Sequence, residues 1–359
     1  MPSLTIVSGG GAKGPACFVV DTGGARLMLD LGYGPQPGLW PDVSGVGKVD
    51  ALLLSHSHRD HAGGMKLRAQ IGEPPVYATD TVRRRLPADH TQHSLPLQGT
   101  TTIAGVSVTT GRSGHAPGGV WLHLAIGGGL LYMGDNSVES ALYAHDAPPR
   151  ADVAILDCSY GDYAVTLSDR ADEFAQHYTA GPVLLPIPPA GRGPEIALHA
   201  AQTQRALPAI DDALRDSLRA LVTTDRDCLR SGIAPELERL ANDCPAIDAP
   251  DRVMLAGIAD GTAGASALLL ERWRWDAVPA FVFTGYLPPG TPAQTLTDSG
   301  RARYLRWNVH PRLADNVQLV RDTGARTIVP AFGDASRYRA AWKTAFAPAR
   351  VHLEDPLTF

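Results

Sequence analysis

The stretch Leu52–Gly64 reads LLLSHSHRDHAGG. Its aliphatic run is short and nearly continuous, the mark of a strand buried on both faces. Directly after it, three histidines and an aspartate fall within six residues: His56, His58, Asp60 and His61. His56 and His58 share one side of an extended loop, and Asp60 and His61 begin the next helix. Two imidazoles from one direction, with a carboxylate and an imidazole from another, suit two neighbouring divalent ions. Nitrogen and oxygen donors without sulfur fit zinc, with manganese or iron as alternatives, rather than a structural thiolate site. A solvated histidine-rich loop is the bland alternative, and the position behind a buried strand argues against it.

The bulk numbers frame that centre. At 359 residues the chain exceeds what one hydrophobic core usually serves, so one large domain or two smaller ones are expected. A hydrophobic content of 44% with 19% charged residues is that of a globular protein. The net charge of -5 excludes a surface coated in nucleic-acid-binding charge but leaves room for a locally basic cleft. The four cysteines are far apart and form no CxxC pair, which points to a reducing compartment. With no signal-like N-terminus and no long apolar run, the expectation is a cytoplasmic, unanchored protein.

Along the chain, the first 160 or so residues read as short strands between glycine-rich turns. ACFVVD and ARLMLDLG flank a TGG turn and read as a hairpin. GGGAKG (Gly9–Gly14) fits GxGxxG, but a strand follows where a dinucleotide site needs a helix, so it reads as a hairpin loop. From about residue 165 to 300 strands and helices alternate, as in GPVLLPIP leading to PEIALHAAQTQRAL, which suggests a separate α/β module. The tail NVQLVRDTGARTIVPAFGD returns as helix, glycine stop and strand.

HxHxDH behind a buried strand resembles the signature of the metallo-β-lactamase fold, a four-layer αββα sandwich. On that resemblance Asp30 in LMLDLG is the structural aspartate beneath the site, His115 in SGHAPGG the third histidine, and Asp135 in LYMGDN the metal-bridging aspartate. Further motifs resemble the β-CASP branch, the nucleases of RNA processing and DNA repair. These are Asp157 in DCSYGD, LLPIPPAGRGPEIAL, FVFTGYLPPGT, and His310 in RWNVHPRLADNVQLV, which falls where the branch carries its catalytic histidine. The resemblance implies an α/β protein with a metallo-β-lactamase domain at 1–165 and 300–359 and a β-CASP-like cap at 166–299, with one cleft between them.

One position departs from the branch. Its site closes with a His-Gly pair after a strand, whereas TIVPAFGDAS places Phe332 before Gly333. Site one then keeps His56, His58, His115 and Asp135, and site two keeps Asp60, His61 and the shared Asp135. One or two zinc ions are expected, with the second site weakened.

The implied activity is phosphodiester hydrolysis of RNA or single-stranded DNA, as an exo- or endonuclease. Metal-bound hydroxide attacks, and His310 protonates the leaving oxygen with Asp157 orienting it. Asp60 belongs to the same machinery. Arg192 between two glycines at a helix start, and Ser266 in GTAGAS, are candidate phosphate contacts, each with an ordinary turn as its alternative. The remaining histidines, His90 and His93 among them, carry no supporting context. Two rival readings stand beside the nuclease: a hydrolase of a small ester, lactone or phosphodiester, and a non-catalytic nucleic-acid-binding subunit whose second metal site has decayed at Phe332.

Overall fold

The computed structural model describes residues 1–88 and 92–359, so His90 lies outside the described residues. The chain divides into two compact units. One comprises Met1–Val138, Ala144–Ala164 and His310–Phe359, and the other comprises Glu139–Tyr143 and Val165–Val309.

The first unit holds two seven-stranded sheets among the described residues. One runs, in spatial order, Leu357–Thr358, Ser3–Ser8, Cys17–Asp21, Arg26–Leu29, Ala51–Leu53, Val76–Thr79 and Gln92–Leu95. The other runs Arg350–Val351, Thr327–Ala331, Val153–Asp157, Leu130–Tyr132, Val120–Leu124, Val106–Arg112 and Gly99–Ile103. The TGG hairpin forms as the sequence predicts, with Asp21 opposite Arg26. Gly9–Gly14 links two antiparallel strands, so the GxGxxG match is a hairpin loop.

Strand periodicity builds the layers, because alternate side chains face opposite ways. Leu27, Leu29, Leu53, Ile155 and Val329 share a core between the sheets. Their neighbours Met28, Leu52 and Leu54 face outward onto Met65, Leu67 and Ile71. On the far side Ala154, Leu156 and Ile328 pack against Leu319 and Val320 of the helix Leu313–Thr323 and Trp342 of the helix Ala335–Ala345. Helix, sheet, sheet and helix are thus stacked in four layers. The helix Leu313–Thr323 stops at Gly324, whose φ of 68° is the left-handed conformation that suits glycine.

The second unit is a doubly wound parallel sheet in the order Ala209–Ile210, Val253–Ala256, Val183–Pro186, Ala280–Phe283 and Ala302–Tyr304. Val183, Leu185, Val253 and Leu255 bury one face against the helices Arg192–Thr203, Asp212–Thr223 and Ala234–Asp243. Leu184, Met254, Phe281 and Phe283 bury the other against Leu269 and Leu270 of the helix Gly264–Arg272. The unit runs past the expected boundary at 299, because Ala302–Tyr304 is its edge strand. It also takes in Glu139–Tyr143, since Ser140 and Ala141 bind the buried Glu195 carboxylate. Among the described residues no helix is long and apolar enough to cross a membrane.

Candidate metal centre

The strand Ala51–Leu53 ends in a loop that carries His56 and His58, and the helix Arg59–Ala62 carries Asp60 and His61. His115 follows the strand Val106–Arg112, and Asp135 follows Leu130–Tyr132. Ligating atoms of His56, His58, His115 and Asp135 all lie within 4.8 Å of one another, and so do those of Asp135, Asp157 and His310. Neither set contains Asp60 or His61.

The first set fits a divalent cation. Nε2 of His56 is buried with no hydrogen-bond partner, a cost that a metal would remove. Nε2 of His115 faces Nδ1 of His58 at 3.1 Å and Oδ2 of Asp135 at 3.4 Å, two nitrogens and an oxygen converging on one point. Burial, reinforced by His61 and His58, holds His56 well below its ordinary pKa. Burial and His115 push His58 down to about 3. Both imidazoles are therefore neutral, the form that ligates. For Asp135, burial pushes upward, but His61 and His310 outweigh it and hold the carboxylate well below its usual range.

Beneath this set lies a buried hub on Asp30. Its carboxylate accepts Ser55 N and Ser55 Oγ, each at 2.6 Å, and Tyr132 OH at 2.5 Å, and it pairs with His61 Nδ1 at 2.7 Å. A carboxylate on the outer nitrogen of a histidine fixes its ring and tautomer. Nε2 of His61 lies 3.1 Å from Oδ1 of Asp135. Burial alone would lower the pKa of His61, yet Asp135 and Asp30 together lift it well above its ordinary value. Burial likewise opposes the charge on Asp60, but His61 and Lys13 prevail and keep it ionised.

His310 stands at the side of the set. Its Nδ1 lies 2.7 Å from Oδ2 of Asp157 and 3.8 Å from Oδ2 of Asp135, and its ring centroid is 5.1 Å from that of His115. The buried Asp157 also accepts Ser159 N. Burial pulls the pKa of His310 down, and Asp157 and Asp135 overcome it, so the net shift is upward. Tyr160 meets the ring edge-on at 5.1 Å.

The two phosphate-contact candidates belong to the second unit. Arg192 opens its helix and donates from Nε to Thr284 Oγ1 at 2.8 Å. Ser266 is fully buried; its hydroxyl donates to Ile258 O at 2.6 Å and accepts Ile258 N at 2.7 Å, which ties it to shaping the loop. His93 lies in the strand Gln92–Leu95, stacked on Tyr77.

Sequence reasoning passed over Ser55, Tyr132, Tyr160 and Lys13. Ser55 was within reach as the first residue of SHSHRDH, whereas Tyr132 meets Asp30 from 102 positions away and carries no local signal.

Comparison with known proteins agrees with the geometry. Residues 18–184 match the family described as Beta-lactamase superfamily domain. The transcription termination factor FttA of Cenarchaeum symbiosum is 25% identical over 247 residues, covering 55% of this chain and 38% of that protein. The endoribonuclease YSH1 of Yarrowia lipolytica is 25% identical over 358 residues, covering 82% of this chain and 43% of that protein. The chain thus spans less than half the length of these curated relatives. Among solved structures, a protein of unknown function from Enterococcus faecalis V583 aligns over all of both chains with a TM-score of 0.62 at 13% identity. With four αββα layers, HxHxDH behind a buried strand and the match over residues 18–184, the chain has the metallo-β-lactamase fold, and its inserted α/β unit and relatives resemble the β-CASP branch.

Proposed function

We propose that the protein is a metal-dependent phosphodiesterase that cuts RNA or single-stranded DNA. The observation that carries this reading is the His310–Asp157 pair beside the His56, His58, His115 and Asp135 set. Ester cleavage of a nucleic acid needs a proton for a departing sugar oxygen, and an imidazole biased toward its charged form can supply one. A divalent ion, with zinc the best match to these donors, would lower the pKa of a water molecule and neutralise charge on phosphoryl oxygens.

The chain's own residues supply the rest. Asp157 holds Nδ1 of His310, so the transferable proton sits on Nε2. Asp60, held as a carboxylate by His61 and Lys13, would serve as the acceptor for a proton from the attacking water. Ser55 Oγ, which donates to Asp30, lies 3.0 Å from Nδ1 of His56 and holds that ligand ring in place before the reaction begins. Arg192, with Nε fixed by Thr284, serves as a phosphate contact in the cap. The relatives named as endoribonucleases support the substrate class.

Incubation of the zinc-loaded protein with end-labelled RNA, single-stranded DNA and duplex DNA tests the reading. Cleavage of a single-stranded substrate that disappears in His310→Ala supports it. Turnover of simple esters or lactones with no cleavage of any nucleic acid overturns it.

A further inference from the structure

Phe332 follows the strand Thr327–Ala331 with a φ of 62°, in the left-handed region, and its N–H donates to Gly9 O at 2.7 Å. Its ring is only 3% exposed. It meets His61 edge-on at 5.0 Å between centroids and Phe18 at 6.2 Å. The space beside His61 is therefore closed by a phenyl group that has no lone pair to offer. Asp334 is the nearest oxygen donor in sequence, and it does not fill the gap. It is exposed, and Oδ1 is spent on Ser336 N at 2.9 Å and Arg337 N at 3.3 Å, capping the helix Ala335–Ala345.

The loop that meets Phe332 is tied to the same strand end. Gly11 N donates to Pro330 O at 2.9 Å, Ala335 N donates to Gly11 O at 2.7 Å, and Gly10 bridges Ala331. Two residues after Gly11 the loop presents the exposed Lys13. The far end of the loop is tied to the helix that carries the ligand candidates, where Ala16 N donates to Asp60 O at 2.8 Å, so Lys13 lies on a loop anchored at the Phe332 strand end on one side and at Asp60 on the other.

We propose that this chain works with one divalent ion, held by His56, His58, His115 and Asp135, and that Lys13 provides the second positive charge facing a bound phosphate. The ion count is independent of substrate, and the part played by Lys13 rests on the phosphate chemistry of the proposed function, not on a nucleic-acid substrate. A flexible ammonium can follow a phosphoryl oxygen without the fixed ligand shell that a second ion needs. Neutralising charge on non-bridging oxygens is a task that Lys or a metal performs alike.

Two measurements on the full-length protein test this. Protein loaded with zinc and desalted is assayed for metal by mass spectrometry, and inorganic phosphate is then titrated into it by calorimetry. One zinc per chain is expected. Lys13→Met is expected to keep that zinc and to weaken inorganic phosphate by about 10-fold, which Lys13→Arg largely restores. Two equally retained zinc ions in the unmodified protein overturn the one-ion centre. Unchanged phosphate affinity in Lys13→Met overturns the role of the lysine. Lys13-dependent phosphate binding without nucleic-acid cleavage removes the nuclease reading and leaves this inference standing.

Discussion

Nδ1 of His310 and Oδ2 of Asp157 meet at 2.7 Å across 153 positions of sequence. The contact sits within reach of Asp135, which is shared between the two donor sets of the centre. His310→Ala is expected to lower turnover by roughly 10²–10⁴-fold with metal content unchanged. Asp157→Asn keeps an acceptor for Nδ1 but removes the charge, so its loss is smaller. Turnover on labelled RNA, measured beside metal content, checks both, and loss of metal in His310→Ala would make His310 a ligand instead.

Asp30 receives three donated hydrogen bonds and pairs with His61, all within the core. Asp30→Ala leaves those groups buried and unpaired, and is expected to cost about 3–5 kcal/mol of stability. Zinc affinity should fall by about 10–100-fold, because the ring of His61 and the Ser55 loop lose their anchor. Urea denaturation and competition with a zinc chelator measure the two losses, and an unchanged denaturation midpoint counts against the hub.

Phe332→His tests how far one side chain sets the metal count. The substitution places a nitrogen donor beside His61, where the ring now stands 5.0 Å away. Zinc per chain is expected to rise from one towards two, read from metal analysis after desalting. A folded variant that still holds a single zinc would show that the strand end, rather than the ring, excludes the ion.

Glu195, which belongs to neither donor set, offers a pH test. Burial raises its pKa against the opposing hydrogen bonds from Trp307, Ser140 and Ala141. A carboxyl raised in the folded chain holds its proton more tightly there than in the unfolded chain. Its contribution to stability is therefore full below the ordinary carboxylate pKa and is lost as pH rises through the raised value. Glu195→Gln should flatten the dependence of the urea midpoint on pH across that window. Parallel midpoint curves for parent and variant refute the assignment.

The centre was legible where chemistry is local, and silent where it is assembled at long range. His56, His58, Asp60 and His61 announce themselves because donors crowd behind a buried strand. The inserted module shows in the change from strand repeats to strand–helix alternation. Its true end does not, since the edge strand Ala302–Tyr304 is short and polar outside Ala302, with nothing in its residues to set it apart from a loop. The helix Leu167–Ala180 also went unmarked, although Thr166 and Asp169 form its capping box. Lys13 was hidden for another reason. Its loop reads correctly as a hairpin connection, and nothing in its residues announces the hydrogen bonds that tie it to the strand end beside Phe332 and to Asp60.

The insertion of one unit within the other has a consequence for synthesis on the ribosome. The strand Val153–Asp157 lies between Leu130–Tyr132 and Thr327–Ala331, so one flank has no neighbour until more than 170 further residues have been made. The second unit, whose five strands all lie between Val183 and Tyr304, can close its own sheet in the meantime. A nascent chain thus carries an open strand edge while the second unit completes its own sheet. Asp157 waits at the tip of that edge for His310, so a chain broken off early holds His56, His58, His115 and Asp135 but lacks the partner of Asp157.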